Sequence, residues 1–362
     1  MTIERLSIEG FRNIHGLRLH PSRRINLIWG ANAAGKTSFL EALDCLGRGR
    51  SFRSHLARQL VRRGEEAFVL SARILDEGPG AVDLGMERST RGWRLRVKGE
   101  KVESLREFAR LLPTQVLHPE SHELVHGPSQ LRREYIDWGV FHVEQAYGAL
   151  WQRYHRVVKQ RNRALRTGMS ESVIRAWDPQ LAELAERLHV SRERYLRHLD
   201  PHVYAYAARL MGERAGATLS LELKSGWNRH GPLGTGLAQT LATDRERGFT
   251  SLGAHRANML VRYQGGAAGE TASRGEQKLI VGVLRLAQLA CLKAQTGRPG
   301  ILLVDDVGAE LDEENFLRLL EGIHELGAQA FLTATTHLEL PGSCATDSKV
   351  FHVKHGQISE VL

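Results

Sequence analysis

Gly30-Ala31-Asn32-Ala33-Ala34-Gly35-Lys36-Thr37 has the G-x-x-x-x-G-K-[ST] spacing of a phosphate-binding P-loop. Ile25-Asn26-Leu27-Ile28-Trp29 before it reads as a short buried strand, and Ser38-Phe39-Leu40-Glu41-Ala42-Leu43 after it opens a helix. A glycine loop in that setting turns successive backbone N–H groups, and the positive end of a helix dipole, onto one anion. Lys36 is then placed to reach the β- and γ-phosphates of a nucleotide as a point charge, and Thr37 to ligate Mg2+.

Composition bounds what surrounds this loop. The 362 residues are enough for about two domains. With 42% hydrophobic and 25% charged residues, the chain has the make-up of a soluble globular protein. Lys and Arg number 50 against 41 Asp and Glu, a net +9, which points to a polyanionic partner, nucleic acid before membrane. Cys45, Cys291 and Cys344 are far apart and odd in number, so neither a disulfide framework nor a metal cluster is expected, and a reducing cytoplasm is the simplest home. The first residues carry an acid and no apolar core, unlike a signal peptide. No uncharged apolar run reaches the roughly 18 residues of a membrane span.

The chain begins as β structure. Ile3, Leu6 and Ile8 alternate with polar neighbours, as do Leu17 and Leu19, and the P-loop strand follows. Gly47-Arg48-Gly49-Arg50-Ser51-Phe52-Arg53 is flexible and basic, with two readings open: a solvated loop, or a contact to a phosphate backbone. Ala67 to Ile74, Ala81 to Met86 and Trp93 to Val97 have the turns and alternation of an antiparallel sheet.

Around Pro113 to Glu120 the pattern changes to helix. Tyr147, Leu150, Trp151, Tyr154, Val157, Val158 and Leu165 fall at helical spacing. Arg153, Arg156, Lys159, Arg163 and Arg166 lie outside that stripe with almost no acid among them. A charged face is commonly just solvated, but one so free of acids favours nucleic acid. Asp178-Pro179 reads as a cap and first turn. Leu181, Leu184, Leu188, Tyr195, Leu196 and Leu199 continue as a second helix, expected to run from Pro179 to His198 and to break at Pro201. A turn at Gly168 would pair the two as a short hairpin. That hairpin falls well short of a sustained coiled coil.

After a strand at Leu219 to Leu223, nucleotide chemistry returns. Ser273-Arg274-Gly275-Glu276 precedes the helical pattern of Leu279, Val283, Leu286 and Leu289, so a serine and a glycine again sit at a helix N-terminus. Ile301-Leu302-Leu303-Val304-Asp305-Asp306 is an apolar strand ending in two acids. A buried parallel strand carries such acids at its carboxyl edge, where a P-loop nucleotide also lies. Asp305 is expected to hold Mg2+ and Asp306 to orient or deprotonate the attacking water. Gly308 to Asp312, with its Leu-Asp step, and Phe331 to His337 complete the order.

That order resembles the ABC ATPases, with a lobe inserted between Lys36 and Ser273. The likeness narrows further. Arg5 to Asn13, the P-loop, Gly49-Arg50-Ser51-Phe52-Arg53-Ser54, Arg132-Arg133-Glu134-Tyr135-Ile136-Asp137-Trp138, Gly253-Ala254-His255-Arg256, Ser273 to Glu276 and Asp305-Asp306 resemble the RecF family of bacterial recombination and repair proteins. The resemblance spans essentially the whole chain. It implies an α/β fold: an ABC-type ATPase head with an antiparallel β subdomain, formed by residues 1–118 and 248–362, and a mainly helical lobe inserted at 119–247.

The same resemblance implies ATP and Mg2+ as cofactors, with Gly30, Ala31, Asn32, Ala33, Ala34, Gly35, Lys36 and Thr37 holding the nucleotide and Thr37 and Asp305 the metal. Asp306, Lys36 and Gln115 are the implied catalytic residues, Gln115 as the candidate Mg2+-sensing glutamine. Ser273 and Gly275 are implied to meet the γ-phosphate of a second subunit, so that two ATP molecules are sandwiched in a homodimer and occupancy is coupled to DNA binding. Its implied function is a cytoplasmic clamp with weak, DNA-dependent ATPase activity. It would act on single- and double-stranded DNA at gaps and stalled forks, with RecR and RecO, and help load RecA.

Ala254 departs from the family pattern, replacing the proline of Gly-Pro-His-Arg. Asp306 stands where most ABC ATPases have glutamate; the RecF family shares the aspartate, whose shorter reach implies slow turnover, and His337 lies beyond the γ-phosphate histidine of many ABC ATPases. The nucleotide-binding subunit of an ABC transporter shares the motifs but has no use for a basic helical lobe. A P-loop kinase or GTPase would lack the motif at Ser273 to Glu276.

Overall fold

A computed structural model describes the chain except His55, residues 77–79, residues 228–230, Leu311 and Leu362. The Leu-Asp step at 311–312 therefore lies partly outside the described residues. Two compact units emerge: Met1–His122 with Tyr206–Glu213 and Arg274–Leu362, and Glu123–Ala205 with Arg214–Ser273. After the short passage Tyr206–Glu213, the final return to the first unit comes at Arg274, later than the expected residue 248. Ser220–Lys224 pairs antiparallel with Asn258–Tyr263 inside the second unit and keeps that stretch there.

The first unit holds two six-stranded sheets. One is antiparallel, ordered Ile14–Leu19, Thr2–Phe11, Ala67–Asp76, Gly80–Ser89, Gly92–Val97, Glu100–Val102. A register shift between Ile3 and Arg5 returns Leu6 and Ile8 to the buried face occupied by Ile3, which accounts for the uneven spacing of these residues. Glu100–Val102 gives no apolar signal. It is a three-residue edge strand carrying charge, the usual way of blunting a sheet edge.

The other sheet is ordered Gln357–Val361, Ser348–Lys354, Ile25–Trp29, Gln329–Ala334, Ile301–Val304, Thr114–Leu117. All neighbours are parallel except the first pair. Only Gln329–Ala334 separates the P-loop strand from the acid-tipped strand, so both open at one carboxyl edge. Thr114–Leu117 is a strand at the boundary where the pattern turns to helix; all four residues are buried, and its polar Thr and Gln hide it from a hydrophobicity reading.

The helix Lys36–Arg48 buries Phe39, Leu40, Leu43 and Leu46 beneath this sheet. Gly47 lies inside the helix, not in a loop, and a Cβ there would stand 2.6 Å from the Leu112 carbonyl. Gly49, at φ 70°, ends the helix with its N–H on the Cys45 carbonyl. Arg274–Thr296 is long and apolar enough to cross a membrane by length and composition, but 67% of its apolar window is buried in the protein.

The second unit is mainly helical, with Ser129–Val143, Tyr147–Arg166 and Leu233–Arg247 beside a small three-stranded sheet. Tyr147, Leu150, Tyr154, Val157, Val158 and Leu165 are buried as expected, whereas Trp151 is 37% exposed. Gly168, at φ 63°, makes the turn. A short helix, Glu171–Arg175, intervenes in the expected two-helix hairpin. The long helix after it, Asp178–Met211, continues past Pro201, a correction to the expected stop near His198. Proline there removes one N–H donor, while Val203, Ala207 and Leu210 beyond it are buried, and packing outweighs the lost bond. Arg161, fully buried, binds Asp178 and Asp244 at 2.8 Å each and joins the helices of this unit.

Candidate nucleotide site

The P-loop is shaped by close approaches. A Cβ on Gly30 would lie 2.4 Å from the Val353 carbonyl, and one on Gly35, at φ 120°, would lie 3.1 Å from Asn13 Nδ2. Ala33 takes φ 63° without being glycine, a conformation held only where the surroundings impose it. Gly356 N–H donates to the Ala34 carbonyl at 2.7 Å and fixes the loop from below. Lys36 Nζ donates to the carbonyls of Gly30 at 2.7 Å and Ala31 at 3.0 Å, curling over its own loop. Burial lowers its pKa, while the charges of Asp306 and Asp305 oppose that.

Thr37 Oγ1 donates to Asp305, at 3.1 Å from Oδ1 and 3.0 Å from Oδ2. Thr333 Oγ1 donates to the same Oδ1 at 2.8 Å, and the Asp306 N–H donates to Thr333 Oγ1 at 2.8 Å. Burial pushes the Asp305 carboxyl above its ordinary range, the two threonine hydrogen bonds hold it down, and the neighbouring Asp306 charge adds to the rise. Asp306 sits at φ 55°, again an uncommon backbone for a non-glycine residue. Both acids border a cleft of 710 Å³ together with Asn32, Ala33, Gly35, Lys36 and Thr37. A hydroxyl and two carboxylates are the hard oxygen set that suits Mg2+, which keeps few protein ligands beside waters and phosphates.

Other residues of the cleft were not anticipated. Arg12 forks onto buried Glu41 at 2.6 and 3.1 Å and donates to the Gln59 carbonyl at 2.7 Å. Ser51 Oγ donates to Glu41 at 2.5 Å. One carboxylate of the P-loop helix thus ties both segments to the cleft. Ser51 is buried, and Phe52 and Arg53 border the nucleotide cleft, an arrangement that neither open reading of the basic stretch foresaw. His118 also lines it and stacks on Phe52, ring centroids 5.1 Å apart. Burial, then the charges of Arg285, Arg48 and Arg53, lowers its pKa to about 4, so the ring is neutral. The nearest signal in the sequence was the change of pattern around His118.

Gln115 is not brought to the cleft. It is 1% exposed, donates to Gln288 Oε1 at 2.8 Å and accepts from Arg285 at 2.8 Å. The register explains this: Gln115 pairs with Leu302, whereas Leu117 pairs with Val304 and only the residues after it reach the level of Asp305. Ser273 closes the second unit and Gly275 lies one residue into Arg274–Thr296. Both are exposed, neither lines the cleft, and a Cβ on Gly275 would meet nothing within 4 Å. His337 is exposed, edge-on to Trp29 at 5.8 Å, and is outside the cleft lining.

Of the helical basic residues, Arg153, Arg156, Lys159, Arg163 and Arg166 are all exposed. Among the described residues none of the five forms an ion pair.

A family model described as the RecF/RecN/SMC N terminal domain matches residues 2–359. A DNA replication and repair protein RecF of Thioalkalivibrio sulfidiphilus is 39% identical over 359 residues, covering 99% of each chain. One from Pseudomonas paraeruginosa is 35% identical over 364 residues, covering 99% of this chain and 98% of its own. The solved structure of the recombination mediator protein RecF with ATP in the RecFOR pathway superposes with a TM-score of 0.87 at 25% identity. It covers 100% of this chain and 98% of that one.

Proposed function

The chain belongs to the RecF family of DNA replication and repair proteins, and from that premise we propose that it is an ATP-dependent DNA-binding clamp for single-strand gaps and stalled replication forks. The observation that carries this reading is the hydrogen bonding of Thr37 to Asp305 beneath the P-loop, which joins the phosphate-binding and acidic halves of one cleft. A solved RecF structure named with ATP is similar over the full chain, which favours ATP here.

Lys36 exchanges the carbonyls of Gly30 and Ala31 for the β- and γ-phosphate oxygens. Thr37 and Asp305 hold Mg2+, which when bound neutralises phosphate charge. Asp306 orients a water and accepts its proton. The short reach of an aspartate makes turnover slow. Arg12 and Arg53 add cations at the mouth of the cleft.

Ser273 and Gly275 serve the nucleotide of a second copy, and their exposure favours that role. ATP is then part of the dimer interface, so nucleotide occupancy and dimerisation are linked. The acid-free face of Tyr147–Arg166 meets single- and double-stranded DNA through its phosphates. The cytoplasmic dimer acts with RecR and RecO and helps RecA load. An ABC transporter subunit is not favoured, since the full-length relatives are replication and repair proteins.

DNA dependence of ATP turnover tests this reading. Gapped duplex should raise the rate in the wild type, and Asp306→Asn should remove it. A turnover indifferent to DNA contradicts the clamp.

A further inference from the structure

The segment Gly253-Ala254-His255-Arg256-Ala257 is held from within and leaves one charged side chain at the surface. Arg192, itself 2% exposed, donates to the Ala254 carbonyl at 2.7 Å, and Arg133 donates to the Ala257 carbonyl at 2.8 Å. His255 is caged between the Tyr154 hydroxyl at 2.6 Å and the Thr250 carbonyl at 3.0 Å. Gly226, at φ 88°, lies so close that a Cβ there would stand 2.4 Å from the Gly253 carbonyl and 2.5 Å from the Ala257 nitrogen. Arg256 is the exposed side chain of the segment, steadied by one long hydrogen bond, at 3.4 Å, from its guanidinium to the Thr250 carbonyl. Its guanidinium lies 4.9 Å from the centre of the Phe249 ring, which is itself 37% exposed.

The platform is fixed to the basic helix. The Thr250 N–H and hydroxyl both donate to Asn162 Oδ1, at 2.8 and 2.7 Å, and buried Arg161 donates to the same hydroxyl at 2.9 Å. A Cβ on Gly248 would touch Arg166 at 3.0 Å. Phe249 and Arg256 therefore stand beside the face that carries Lys159, Arg163 and Arg166. Within 233–256 the acids are Asp244, buried on Arg161, and the exposed Glu246, so positive charge prevails at the surface.

We propose that Phe249 and Arg256 form a stacking platform for an unpaired nucleobase beside the phosphate-binding face of Tyr147–Arg166, so that the protein grips nucleic acid where one strand leaves the duplex. The proposal rests on the DNA-binding reading above and adds to it the residues that would hold the unpaired base. Every base has a π-face, so an aromatic ring with an arginine over it accepts any of them, but only once the base is out of its pair. The surrounding cations supply the sequence-independent share of the affinity. A framework of buried arginines and a caged histidine keeps the exposed pair in register with the helix.

The test uses the full chain with ATP and Mg2+, and fluorescence anisotropy with a blunt duplex and with the same duplex carrying a single-stranded tail. The wild type should prefer the tailed duplex, and Phe249→Ala should lose roughly tenfold on that probe, in the range of one base stack, while its affinity for the blunt duplex is unchanged. Phe249→Trp should keep the preference, and the emission it adds to that of the six native tryptophans should be quenched by the tailed probe beyond any quenching seen in the wild type. If the wild type binds both probes and Phe249→Ala binds the tailed one equally well, the platform is wrong and the DNA reading stands. If the wild type binds neither, the DNA reading itself fails and takes the platform with it.

Discussion

Thr37 and Asp305 lie 268 residues apart and touch, one threonine hydroxyl standing 3.1 and 3.0 Å from the two oxygens of one carboxylate. Thr333 holds the same carboxylate from the strand between them. The sheet order makes this meeting, because both loops leave the same edge of parallel strands with only Gln329–Ala334 between them.

Asp305→Asn keeps the shape and the threonine partners but removes the charge meant for Mg2+. Calorimetric titration with ATP should show Mg2+-dependent affinity falling by about 100-fold, the scale of a lost charged contact, while urea unfolding without nucleotide is no easier at neutral pH, since burial disfavours the ionised form. An unaltered Mg2+ dependence would remove Asp305 from the metal site.

Ser273→Ala should bind ATP as the wild type does yet fail to dimerise with it. Light scattering on a sizing column, beside a nucleotide titration, separates the two effects. Normal ATP-driven dimers in this variant would mean that Ser273 does not serve a second copy.

DNA affinity should fall steeply with added salt, because phosphate contacts release counterions. Replacing Arg163 and Arg166 together by glutamine should flatten the slope by about two contacts, measured by anisotropy from low to physiological salt. A salt-independent affinity would sink the phosphate-backbone reading.

His118 and His255 have pKa values near 4, held down chiefly by burial, against about 6.5 when unfolded. Between those values the unfolded chain binds protons that the folded chain refuses. Stability from these rings is therefore full above about pH 6.5 and is lost as pH falls toward 4. By pH 5 each ring forfeits about 2 kcal/mol. Buried acids such as Asp44 push the other way, so the informative quantity is the difference between proteins. Urea unfolding at pH 7 and pH 5 should show a smaller loss for His255→Gln than for the wild type. Equal losses would mean that His255 does not titrate as its burial implies.

What could be read from the residues follows their physical signals. Ile25–Trp29 was legible to the residue, because a continuous apolar run ends at a glycine that opens a loop of fixed spacing. Asp305 and Asp306 were legible for the same reason at the end of Ile301–Val304. Thr114–Leu117 was not, since Thr and Gln are buried there by pairing that only the fold supplies, and its register carried Gln115 away from the cleft and brought His118 to it. Pro201 misled because its local cost is real but smaller than the packing on either side. Arg12 was quoted only as part of a resemblance and Arg53 only as part of a basic stretch and the same resemblance; Glu41, which reads simply as a helix residue, holds Arg12 directly and the segment of Arg53 through Ser51.

The most direct test of the clamp is sedimentation of the full chain with ATP and Mg2+, with and without gapped duplex DNA, beside Lys36→Ala. The wild type should sediment as a dimer only with ATP and should carry the DNA with it, and Lys36→Ala should stay monomeric under both conditions. A wild-type protein that remains a monomer with ATP and leaves the DNA behind would contradict the account.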